Sequence, residues 1–409
     1  MPFHTTTLPN GLTLIGETLP SARSVAVGFF VRTGSRDETD AESGVSHYLE
    51  HMMFKGTPRR SALDVNLDFD RIGASYNAFT SEEITAYYAA VLPEYLPTAV
   101  DILTDILRPS LRQDDFDTEK KVILEEIGMY ADMPGSAAFD HARIHYFRGH
   151  PLGNSVLGTT ESVTALTRDQ MQAYFDRRYS PSNIVAVAAG KFAWDDFVSL
   201  TTKGCGAWPN VPPGPRQLGV VPSPGGVFAI PKEGVAQEQL IVLSTGPDAK
   251  SDLRHAAGVL SVAIGDETGS RLYWSIVDPG HADSASCSVD TSEGSGTTCT
   301  FVTCEKEAAT ENLDRIKAVL ADVQANGLTD HELAVAKSKI ASRVVRGSER
   351  PQGRMRSLAG AWLYRGEQSD PDVELAKYDA VTMADVRKVL IQFPLTDITV
   401  VGYGPCDSL

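Results

Sequence analysis

The chain has 409 residues, 42% of them hydrophobic, so it can bury a substantial core, and its length favours two or three domains over one. Its 53 acidic against 37 basic residues give a formal net charge of -16, which argues against a nucleic-acid or anionic-membrane surface and favours cationic partners, although acidity is equally a solubility device. No apolar run approaches the roughly 18 residues that span a bilayer, and the start lacks the pattern of a secretory signal. The five cysteines, Cys205, Cys287, Cys299, Cys304 and Cys406, contain no C-x-x-C pair. They read as reduced, packed thiols, and the expected location is the cytoplasm.

In chain order, strand-like runs at Leu12–Glu17 and Ser24–Arg32 precede a helical segment at Ser43–Gly56. Amphipathic helices follow at Pro93–Leu107 and Asp115–Ala131. The stretch from Trp208 to Gly226 holds six prolines and four glycines and reads as a linker. Beyond it come a strand at Gln239–Thr245 and a helix at Asn312–Ala325. The pattern implies an α+β fold of two related domains, each a mostly antiparallel sheet packed with helices, at 1–207 and 227–409, joined by 208–226. An internal repeat supports this: Ala165–Met171 leads through a helix to the strand Ile184–Gly190, and Ala380–Val386 leads likewise to Ile398–Gly404.

The segment that carries chemistry is Ser43-Gly-Val-Ser-His-Tyr-Leu-Glu-His-Met-Met-Phe-Lys-Gly56. On a helix, His47 and His51 project from one face, close enough to share a metal, with Glu50 within reach of a water beside it. Zinc suits imidazole and carboxylate donors, and a catalytic zinc keeps one position open for water, which a nearby carboxylate can deprotonate. The bland alternative is a pair of surface histidines on a charged helix. A third ligand must come from elsewhere, and the helix over Asp115–Tyr130 places Glu119 and Glu126 on one face, with Glu125 rotated away by about 100°. That face also fits a solvated acidic surface. His141 and His145, again four residues apart, read as structural or surface residues, and Met52 and Met53 as packing of the helix on its sheet.

These residues resemble the pitrilysin-type (inverzincin) zinc metallopeptidases of family M16, especially the branch of the mitochondrial processing peptidase β-subunit and its bacterial relatives. The resemblance continues through Leu8-Pro-Asn-Gly-Leu12, Gly34-Ser-Arg-Asp-Glu38, Phe54-Lys-Gly-Thr57 and Gly73-Ala-Ser-Tyr-Asn-Ala-Phe-Thr-Ser81. It extends to Val122-Ile-Leu-Glu-Glu-Ile127, His150-Pro-Leu-Gly153 and Tyr179-Ser-Pro-Ser-Asn183. It implies one Zn2+ per chain on His47, His51 and Glu126, Glu50 as general base and Glu119 as a supporting acidic residue of the catalytic site. It also implies that the edge of the strand carrying Asn77, Ala78, Phe79 and Thr80 pairs with a peptide substrate by β-augmentation.

In self-sufficient members of that family the second domain supplies an Arg and a Tyr to the reaction. Ser270-Arg-Leu-Tyr-Trp-Ser-Ile276 resembles the start of that segment, yet Val277 and Asp283 stand at the two positions. Neither donates as required. Either a sister chain supplies the pair in a homo- or heterodimer, or Arg271, Tyr273 or His281 substitutes. The expected function is therefore a zinc-dependent endopeptidase acting on extended peptides or unfolded segments, tolerant of basic sequences. The alternative is a non-catalytic assembly or scaffold subunit of the same fold.

Overall fold

A computed structural model describes residues 3–409, with α-helices and two β-sheets. The first sheet holds β1 (Phe3–Thr7), β2 (Thr13–Thr18), β3 (Val25–Val31), β4 (Ser75–Thr80), β5 (Thr85–Val91) and β6 (Ile184–Gly190). Its spatial order is β1-β2-β6-β3-β5-β4, and every pair is antiparallel except β2 with β6. The second holds β7 (Val227–Pro231), β8 (Gln237–Thr245), β9 (Ser284–Ser292), β10 (Ser295–Glu305) and β11 (Ile398–Gly404). Its order is β7-β11-β8-β10-β9, and only β7 with β11 is parallel. Without β1, the two orders are the same once β2 is matched to β7 and the rest follow in chain order. The short repeat in the sequence is thus the visible end of a duplicated topology. Its last units match in detail: Thr167 caps the helix Arg168–Arg178 before β6, and Thr382 caps the helix Met383–Gln392 before β11, each in a capping box.

The chain forms two compact units, and each draws one helix from the other half of the sequence. Among the described residues, the first comprises 3–128, 154–216 and 346–369, and the second comprises 129–153, 217–345 and 370–409. The contiguous division expected at 1–207, 208–226 and 227–409 therefore gives way to an interleaved one. Its physical cause is that both sheets are apolar on both faces. In the first unit Leu14, Val25, Val27, Phe29, Ala186 and Ala188 face one core, while Ile15, Ala26, Phe30, Val185, Val187 and Ala189 face another. Met355, Leu358 and Ala359 of the helix Pro351–Arg365 fill the latter. In the second unit, Ala138, Ala142 and Tyr146 of the helix Pro134–Tyr146 cover Ile241, Leu243, Val401 and Tyr403 in the same way. Strands of this kind read as continuous apolar runs, as β3 and β6 do.

A buried ion pair secures the first of these helices: Arg354 donates to Glu17 of β2 and to the Ser369 carbonyl, and both side chains are almost wholly buried. The proline-rich stretch, residues 208–226, has no regular secondary structure, as expected. It is not loose at its first part, because Arg216 donates to Asp37 at 2.8 Å and to the Glu83 carbonyl at 2.6 Å within the first unit. All five cysteines are buried and free. No helix among the described residues is long and apolar enough to cross a membrane.

Candidate metal centre

The helix Val45–Met52 begins at Gly44, whose φ of +89° lies in the left-handed region and whose missing Cβ leaves room for the Leu157 carbonyl oxygen, 2.6 Å from where a Cβ would stand. Glu38 satisfies the exposed start of the helix, accepting from the Gly44 N–H at 2.7 Å and the Ser46 N–H at 2.8 Å. Burial pushes the Glu38 carboxyl up to about 8 against the pull of those two donors. Val45, Tyr48, Leu49 and Met52 bury one face of the helix, and Met53 follows them into the core. The remaining face presents His47, Glu50 and His51.

The helix Gln113–Ala131 lies beside it, and side chains tie the two together. The Tyr48 hydroxyl donates to the Phe116 carbonyl, and the two rings stack with centroids 4.7 Å apart. The Arg112 guanidinium donates to the Lys55 carbonyl at 2.6 Å, and the Ser110 N–H to the Gly56 carbonyl at 3.0 Å. Lys55 Nζ reaches Glu119 Oε2 at 2.5 Å. These contacts bring Glu126 Oε2 to 3.4 Å from His51 Nε2 and 3.7 Å from His47 Nε2. The three side chains each offer a ligand atom, and these atoms lie within 4.8 Å of one another, the one such group among the described residues. Two imidazole nitrogens and one carboxylate oxygen are a donor set that fits zinc.

Glu119 does not join that cluster. It accepts instead from His51 Nδ1 at 2.8 Å, which presents the other ring nitrogen toward Glu126. Burial alone would raise the Glu119 carboxyl, but the hydrogen bonds from His51 and Lys55 hold it below its usual range. His51 is the reverse case, since burial would lower it and Glu119 and the charges of Glu126 and Glu50 leave it raised. Burial, with His51 beside it, takes His47 down to about 3, so its ring is neutral as a ligand requires. Its Nδ1 is buried without a hydrogen-bond partner.

Glu50 Oε2 accepts from the Thr80 hydroxyl at 2.6 Å. Burial raises its pKa against the opposing effects of Thr80 and His51. Thr80 ends β4, which is the outer strand of its sheet and, among the described residues, pairs only with β5. Asn77, Ala78 and Phe79 precede it on that strand, with the Ala78 N–H turned to the Asn77 side chain at 2.8 Å.

Lys55 and the Thr80 hydroxyl are contacts of the site beyond those expected from the sequence. A cation four residues beyond His51 is the signal for the first; nothing local in the sequence reveals the second. His141 stacks on Tyr403 with centroids 5.5 Å apart and His145 on Phe228 at 4.2 Å, so both pack against the second sheet as expected. In the second unit, Val277 packs against the core at the end of a π-helical turn, Tyr273–Val277, and the Asp283 carboxylate accepts from Gln237. Arg271 is held by Glu332 at 2.6 and 2.9 Å, by Asp322 at 2.5 Å and by the Gly327 carbonyl at 2.9 Å. Four of its five N–H groups are thus used within its own unit.

A duplicated α+β fold with a zinc-type donor set on one unit is that of a two-domain metallopeptidase. The chain belongs to peptidase family M16: the model described as Insulinase (Peptidase family M16) matches residues 14–160, and that of the Peptidase M16 inactive domain matches residues 165–340. An uncharacterized zinc protease of Streptomyces coelicolor is 36% identical over 395 residues, covering 94% of this chain and 85% of its own. Mitochondrial-processing peptidase subunit beta of Saccharomyces cerevisiae is 37% identical over 208 residues, covering 51% of this chain and 45% of its own. Among solved structures, a protease from Helicobacter pylori matches with a TM-score of 0.91 at 21% identity over 99% of both chains.

Proposed function

We propose that this chain is a zinc-dependent endopeptidase that hydrolyses extended peptides or unfolded polypeptide segments, with one Zn2+ held by His47, His51 and Glu126. The observation that carries this reading is the convergence of those three donors within 4.8 Å on the helix face that also carries the half-buried Glu50 carboxylate. Zinc, when bound, supplies Lewis acidity that polarises a carbonyl and acidifies water. Glu50 takes a proton from the attacking water and delivers it to the nitrogen that leaves as the carbon–nitrogen bond breaks. Glu119 holds the His51 ring in the tautomer that offers Nε2. The unpaired edge of β4, at Asn77, Ala78, Phe79 and Thr80, offers backbone groups to an extended substrate.

Val277 and Asp283 lack donors for a developing oxyanion, and loss of such a donor costs about 3 kcal/mol in comparable enzymes. The chain is therefore proposed to work in a homo- or heterodimer with a sister chain that supplies Arg and Tyr. The similarity to a protein named as a subunit beta supports a heteromeric partner. A cytoplasmic location is proposed on the reduced cysteines. The rival reading, a non-catalytic assembly subunit, draws on the fold of a Complex III chain from Candida albicans at 18% identity, and the intact His-x-x-Glu-His helix argues against it.

The test is cleavage of an unstructured, basic fluorogenic peptide by the native protein with any chain that co-purifies. Cleavage should stop with a chelator, return with zinc, and be absent in Glu50→Gln, which should still bind zinc. A Glu50→Gln protein as active as the wild type would refute the reading.

A further inference from the structure

The hydrogen bond from Thr80 to Glu50 joins two parts of the site that the sequence separates by thirty residues. One is the proton acceptor, and the other is the last residue of the strand whose open edge is proposed to receive the substrate. We infer that Thr80 is a positioning residue: its hydroxyl fixes the Glu50 carboxylate, and so sets the proton acceptor in register with a peptide lying along β4. This inference rests on the function proposed above.

Glu50 is half-buried, and a carboxylate partly withdrawn from water is held in one orientation by the donors it meets. Thr80 Oγ1 supplies one at 2.6 Å to Oε2. That leaves Oε1 as the oxygen free to meet water. The threonine itself is fixed from behind, because its backbone pairs with Thr85 of β5, and the adjoining turn is closed by the Ser81 N–H and hydroxyl on the Ile84 carbonyl at 2.8 and 3.0 Å. The hydroxyl therefore sits on a rigid hairpin rather than on a mobile loop, and a bond to such a support restrains the carboxylate more than one to a free surface side chain. A strand-binding role alone would use only the backbone of Thr80 and be indifferent to its hydroxyl.

The experiment compares wild type, Thr80→Val and Thr80→Ser, each purified with any co-purifying chain and assayed for zinc content and for steady-state cleavage of an unstructured fluorogenic peptide. Positioning predicts that Thr80→Val keeps its zinc and its KM within about twofold while kcat falls about tenfold or more, and that Thr80→Ser recovers most of the loss. A second readout needs no turnover: a labelled peptide should bind Glu50→Gln and Glu50→Gln/Thr80→Val with the same Kd by fluorescence anisotropy. Unchanged kcat in Thr80→Val, or a loss carried by KM and peptide affinity, would overturn the inference and leave the peptidase reading intact. A wild type that binds zinc but cleaves nothing would overturn both.

Discussion

His51 Nδ1 and Glu119 Oε1 stand 2.8 Å apart, and the second Glu119 oxygen is held by Lys55 at 2.5 Å. A carboxylate bound on both sides is a fixed acceptor, so it sets the orientation and tautomer of the ring it holds. Glu119→Gln keeps the size of the side chain but replaces an anionic acceptor with an amide. It should weaken zinc binding about 10- to 100-fold without unfolding the protein, as measured by competition with a chromophoric chelator. Equal affinity would mean that the packing of the helix alone orients His51.

Arg354 and Glu17 form a buried pair between the helix Pro351–Arg365 and β2. Removing one partner strands a buried charge, so Arg354→Ala should destabilise the first unit by about 3–5 kcal/mol in chemical denaturation. The double variant Glu17→Gln/Arg354→Met should recover much of that loss. If it does not, packing by Met355 and Leu358, rather than charge, sets the contribution of this helix.

Acid stability should show a contribution from Glu374, which the His255 hydrogen bond, 2.9 Å long, holds down to about 2 from 4.5. Because the folded value is depressed, the contribution is complete above about pH 4.5 and is lost as pH falls toward 2, where the unfolded chain takes up the proton first. Screened by solvent at a partly exposed pair, it amounts to about 1–2 kcal/mol. Glu374→Gln should flatten the fall in unfolding free energy between pH 4.5 and 2, measured by urea denaturation at each pH.

That His47 and His51 share one face is legible in the sequence because residues four apart on a helix lie one above the other, whereas Glu126 enters through family resemblance rather than geometry. Periodicity put Glu119 and Glu126 on the same face; only the packing of two helices separates a group that meets His51 Nδ1 from one that meets its Nε2. The exchange of the helices Pro134–Tyr146 and Pro351–Arg365 was not legible. Each has an apolar face, and nothing in such a face says which of two apolar sheets it will cover. The continuous burial along β6, all seven residues, is the trace the exchange leaves in the sequence, as an unbroken apolar run. The bond from Thr80 to Glu50 escapes a linear reading altogether, since it depends on where a strand edge meets a helix.

The most direct test of the central claim is the metal content of the purified wild-type chain and of His51→Ala and Glu126→Ala after dialysis at neutral pH. Close to one zinc per wild-type chain, with both variants folded and nearly zinc-free, is the expected result. A wild type that retains no zinc, or an Glu126→Ala variant that retains it undiminished, would contradict the assignment of this centre.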